Sequence, residues 1–209
     1  MFGIHDFGLF VAAGILLNLT PGPDTVYILG RSIGQGREAG VASAFGISLG
    51  SIFHTCAAAL GLSAILATSA LAFGAIKLLG GAYLIFLGMK MVCDRGKQLS
   101  LPSDFRRRST AAAFRQGMLT NILNPKVALF FLAFLPQFID PASNAKVIAF
   151  LLLGFSFVTT GTIWCLILAW FASGFSERLR KNETISQWLN RTAGALFVFL
   201  GLRLAATAK

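Results

Sequence analysis

Apolar residues run along the chain in six blocks, roughly 7–29, 41–67, 70–91, 114–139, 146–173 and 187–207. Each is long enough to cross the ~30 Å hydrocarbon core of a bilayer as a helix. Inside the blocks the apolar positions recur with a helical period, and none alternates every second residue. The pattern therefore predicts an all-α integral membrane bundle and excludes a barrel. The one long polar stretch, 92–113, separates a first half, 1–91, from a second, 114–209, each with three spans, within one transmembrane domain covering 1–209. No Lys or Arg precedes Arg31, so the first block lacks the basic head of a signal peptide and is read as a span.

Composition agrees. The chain is 56% hydrophobic and 12% charged, about half the charge density of a soluble domain, which excludes a disordered chain, a coiled coil and an ordinary soluble enzyme. The net charge of +10 is unevenly placed. Thirteen Lys and Arg fall on one side of the predicted spans: Arg31 and Arg37, the set from Lys90 to Arg115 that includes Arg106, Arg107 and Arg108, and the set from Arg178 to Arg191. Only Lys146, Arg203 and Lys209 fall on the other. The positive-inside rule makes 92–113 cytoplasmic and turns both termini outward. No aromatics interleave with these bases, so no nucleic-acid partner is implied. Cys56, Cys93 and Cys165 are an odd, scattered set that gives neither a disulfide framework nor a metal site, and no glycine-rich phosphate loop or other cofactor motif is present.

The halves resemble each other. Gly14 and Asn18 in span 1 answer to Gly117 and Asn121 in span 4, each pair followed within three or four residues by a proline (Pro21, Pro125) and then by an ionisable residue directly after a proline, Asp24 after Pro23 and Lys126 after Pro125. Gly81, Gly88 and Lys90 in span 3 answer to Gly194, Gly201 and Arg203 in span 6. Three spans per half make the second copy enter from the opposite side, so the repeat is an inverted 3+3 repeat, the arrangement of secondary transporters with a site at the repeat interface.

Spans 1 and 4 are broken by proline. Pro21 and Pro23 lack N–H groups and clash with the preceding turn, and Gly22 adds freedom. Freed backbone groups at membrane depth must face protein or a wet cavity. Asp24 is then either a functional carboxylate or the cap of its own half-helix. In span 4, Asn121, Asn124 and Pro125 interrupt the helix, and Lys126 either pairs with Asp24 or snorkels. Asn18, Pro21, Gly22, Pro23, Asp24, Asn121, Asn124, Pro125 and Lys126 form the candidate substrate site. His54, on the small-residue face Gly46, Gly50 and Ala58, is either a proton carrier beside Asp24 or a hydrogen-bonded structural residue. Lys77, nearer a span end, reads as snorkelling. Gly46-Ile-Ser48-Leu-Gly50 fits a hydrolase nucleophile motif, but it lies within a helix where Ser48 and His54 face apart.

Four segments carry a family resemblance: Asn18 to Asp24; Lys77 with Gly80, Gly81, Ala82, Tyr83 and Gly88; Gly117 with Asn121, Asn124, Pro125 and Lys126; and Phe134 with Pro136, Gln137 and Phe138. Together they resemble the LysE/RhtB family of bacterial amino-acid exporters over essentially the whole chain, closest in motif to the branch exporting threonine, homoserine and homoserine lactone. The resemblance implies a proton-driven secondary exporter in the bacterial inner membrane, no enzyme and no cofactor, with amino-acid substrate and lipid as partners and a homo-oligomer left open. A channel for small polar metabolites and a non-transporting scaffold compete. The sequence has no ring of like charges, and a scaffold has no need of two broken spans of opposite charge.

Overall fold

The computed structural model describes residues 2–68, 70–93, 109–181 and 183–206. Among them no strand forms, and the elements run α1 (Phe7–Leu19), α2 (Pro23–Gln35), α3 (Arg37–Ala57), α4 (Ser63–Thr68), α5 (Ala70–Cys93), α6 (Thr110–Ile122), α7 (Pro125–Ala133), α8 (Lys146–Lys181) and α9 (Glu183–Ala206). A π-helical turn, Ala58–Leu62, carries α3 into α4, and a 3₁₀ turn, Leu135–Phe138, follows α7. Two continuous stretches, Arg37–Ile65 and Lys146–Ala172, are long and apolar enough to cross a membrane. Two further pairs qualify only when joined across a break: α1 with α2, bent by 49°, and α6 with its continuation to Phe138, bent by 48°. The described residues thus hold two to four candidate spans by length and composition.

The first apolar block extends further than its hydropathy indicates. Nothing breaks α2 before Gly36, whose φ of +91° turns the chain directly into α3. Arg31 therefore lies inside a helix, 3% exposed, and not in a loop. Its Nε donates to Tyr27 Oη at 3.1 Å and its Nη2 to Gln116 Oε1 at 2.6 Å, while Tyr27 Oη donates to the Ala113 carbonyl at 2.9 Å. This buried polar knot ties α2 to α6. The expected linker falls mostly outside the described residues, which exclude 94–108 with Arg106, Arg107 and Arg108, and also exclude the side chain of Lys77.

Glycines set the closest helix contacts. A Cβ on Gly117 would lie 2.6 Å from the Ser43 carbonyl, and one on Gly50 2.8 Å from the Asn121 side chain, so α3 and α6 touch backbone to backbone. The α5–α9 pair is as close: a Cβ on Gly88 would lie 2.5 Å from the Gly194 carbonyl, one on Gly194 2.6 Å from that of Gly88, and one on Gly201 2.7 Å from that of Gly81. Without a hydrophobic force between helices in lipid, such contact is what dispersion needs. An aromatic core of Phe10, Phe130, Phe134, Phe138 and Phe197 fills one end of the bundle. The N-terminal segment straps that end, with His5 N donating to the Phe138 carbonyl and Asp140 N to that of Gly3.

Candidate functional site

The two breaks meet at the centre of the bundle. Helix α1 stops because the residues that would continue its ladder are Pro21 and Pro23. Leu17 would accept from the N–H of Pro21, which has none. Thr20 closes the end with extended ψ of 123°, and α2 restarts with Pro23 at its first position. At the second break Asn124 caps α7: its side chain accepts from Lys126 N at 3.1 Å, with Pro125 at the first helical position. Both restarts thus use proline where a missing N–H costs nothing.

The freed backbone groups are answered from the opposite half. Lys126 Nζ donates to the carbonyls of Leu17 and Thr20, both at 2.8 Å, so an ammonium sits on the negative end of α1. At the broken end of α6, the Asn121 carbonyl lies 3.2 Å from His54 Nε2 and also accepts from Asn124 N. The Asn121 side chain is a hub. Its Oδ1 accepts from Ser51 at 3.2 Å, and its Nδ2 donates to Asp24 Oδ2 at 2.8 Å. The other oxygen, Asp24 Oδ1, is buried without a hydrogen-bond partner; Asn124 bears on the same carboxylate without meeting hydrogen-bond geometry.

Between the breaks lies a cavity of about 40 Å³, room for a few waters at most. Six of the candidate residues line it: Asn18, Gly22, Asp24, Asn121, Asn124 and Lys126. Pro21, Pro23 and Pro125 do not; they shape the walls. Lys126 and Asp24 share the cavity but do not form an ion pair, because the ammonium is turned to carbonyls of α1 and the carboxylate to Asn121. His54 does not reach the cavity. It stacks on Phe131, with centroids 5.7 Å apart, and contacts the site through Asn121. Ser48 is turned away from His54 toward α8, where its Oγ lies 2.7 Å from that of Thr162.

The remaining wall comes from α3 and α8. Ser48 and Ser51 line it from one side, Gly161, Thr162 and Trp164 from the other, and Asn18 reaches Thr160 at 3.4 Å. The signal for α8 was the run Thr159-Thr160-Gly161-Thr162, a polar patch at the centre of an apolar block.

The small cavity between the two broken helices thus presents a carboxylate oxygen without a partner and an ammonium among hydroxyl and amide groups. The chain matches the LysE type translocator family over residues 15–208. It belongs to that family. The LysE-family chain is 32% identical to an uncharacterized membrane protein of Vibrio cholerae over 208 residues, 99% of this chain and 98% of the other. A membrane protein of Pseudomonas aeruginosa, also uncharacterized, is 29% identical over 207 residues, 97% and 96% of the two chains. The leucine efflux protein of an Enterobacter species is 26% identical over 205 residues, 98% and 97% of the two. No solved structure matches.

Proposed function

We propose that this LysE-family protein is a secondary active exporter of neutral amino acids or close derivatives, coupled to the proton gradient of the bacterial inner membrane. One observation carries the reading: Asp24 Oδ1 lies buried and unpartnered on a cavity between two broken helices. A buried carboxylate oxygen is expensive without a partner, and a substrate ammonium supplies one. The substrate carboxylate takes the free N–H groups at the start of α2 and the third hydrogen of Lys126. The motifs favour a threonine- or homoserine-like side chain, and the leucine efflux relative favours a leucine-like one; both present the same zwitterionic head.

A single domain of six spans in two inverted halves, with both termini outward, completes the proposal. The reciprocal contacts of Gly88 with Gly194 and of Gly201 with Gly81 support it, because a two-fold axis between α5 and α9 would pair these positions in this way. The present cavity is too small for an amino acid, so transport requires it to widen, with α1 moving off the wall that α3 and α6 form together. The protein is purified, reconstituted into liposomes loaded with one amino acid, and tested for counterflow of a labelled panel including threonine, homoserine and leucine. Saturable exchange of at least one is expected. Non-saturable flux without exchange would make it a pore, and no flux of any would remove the transport reading.

A further inference from the structure

Lys126 occupies a place built for a cation. Its ammonium bridges the Leu17 and Thr20 carbonyls at 2.8 Å each, the groups that the proline break leaves without N–H partners. Its stem lies along Gly22, where an added Cβ would sit 3.7 Å from both Cδ and Nζ. It forms no ion pair within 4.0 Å among the described residues, so the two carbonyls at the end of α1 are its direct partners, and the Asp24 carboxylate acts on it only across the cavity.

We propose that Lys126 carries the coupled proton: the ammonium locks the broken end of α1 to α7, and its deprotonation releases that end. This inference rests on the proton-coupled export reading above. Charge-assisted hydrogen bonds are about twice as strong as neutral ones. Loss of the proton to cavity water, on whichever side the cavity opens, weakens both bonds and leaves a lone pair among carbonyl oxygens. The half-helix that carries Asn18 on one side of the break and leads to Asp24 on the other is then free to move. The titratable groups around the cavity are Asp24 from α2, Cys165 from α8 and, behind Asn121, His54 from α3; α1 and α6 bring only backbone and amide groups. Protonating Asp24 on its free Oδ1 leaves the Asn121 bond on Oδ2 in place, and His54 is walled off. Of these groups only Lys126 holds the broken end of α1; His54 meets the other break, at the Asn121 carbonyl of the anchored α6.

The test compares exchange with accumulation driven by an imposed pH gradient, using one amino acid that the wild type exchanges. In Lys126→Arg, which cannot lose its proton, and Lys126→Gln, which cannot gain one, the ratio of driven accumulation to exchange is expected to fall at least about tenfold. An unchanged ratio in a variant that exchanges would overturn the proposal while leaving the transport reading intact. A second measurement does not depend on transport or on the Gln variant folding. Amide exchange of the 18–24 segment in detergent, corrected for intrinsic rates, is expected to lose protection in the wild type as pH rises from about 6 to about 10, and to stay flat in Lys126→Arg. Constant protection in the wild type would overturn the proposal even if the protein transports.

Discussion

The two broken helices bend by almost the same angle, 49° and 48°, but are held differently. The second is anchored. Helix α6 lies backbone to backbone on α3 through Gly46, Gly50 and Gly117, and Ser51 and His54 of α3 grip Asn121 at its broken end. The first is lighter on its flank. A Cβ on Gly14 would meet the Phe157 ring at 3.2 Å and one on Gly161 the Asn18 amide at 3.3 Å, contacts that a side chain can yield to. Its broken end is held by one lysine from the other half. The difference makes α6–α7 the fixed wall of the site and α1 the part that moves, while α2 stays tied to α6 through Tyr27 and Arg31.

The largest expected effect comes from breaking the fixed wall. In Gly46→Leu a side chain would enter the space of the Phe114 backbone, where neither helix can give. A loss of more than about 3 kcal/mol is expected, seen as little or no folded protein in a detergent melting assay. Gly161→Ala on the lighter flank should cost under about 1 kcal/mol. Equal costs would remove the distinction.

The breaks themselves come next. Replacing Pro21, Gly22 and Pro23 together with Ala should let α1 run into α2, leaving insertion normal and lowering exchange by about a hundredfold or more. Pro125→Ala should lower it by less than about tenfold, because Asn124 still caps α7. Equal losses would mean that proline alone makes both breaks.

How far this asymmetry could be read from residues alone depends on which interactions are local. Proline acts within its own turn, so both breaks were legible, and six of the nine residues read beside them line the cavity. The inward glycine face of α3 was legible too. Partners across the bundle were not. Asp24 and Lys126 look like an ion pair from their equivalent positions, yet each answers a backbone or amide group that the opposite break exposes. Arg31 looks like a loop base, yet α2 extends past the apolar block and buries it against Gln116. The hydroxyls of α3 and α8 were passed over because a Ser or Thr in an apolar helix commonly bonds its own backbone, as Ser48 also does to Ala44.

Two smaller effects sharpen the picture of the hub. Asn121→Ala removes the bonds from Ser51 and to Asp24, leaving both carboxylate oxygens unpartnered. A loss of about 2–3 kcal/mol in melting experiments is expected, with a larger fall in exchange than in stability. Ser48→Ala removes one α3–α8 bond and should cost about 1 kcal/mol. A cost for Ser48→Ala as large as that for Asn121→Ala would place the hub elsewhere.

The central claim is that the cavity between the breaks is where substrate binds. Cys165 is buried on its wall, whereas Cys56 and Cys93 are exposed. With Cys56 and Cys93 replaced by Ser, the rate at which a small neutral thiol reagent alkylates Cys165 can be measured with and without the amino acid that the protein exchanges. Saturating amino acid is expected to slow alkylation by about tenfold or more, with half-protection at the concentration that half-saturates exchange. An alkylation rate unchanged by an amino acid that the same protein demonstrably exchanges would contradict the claim.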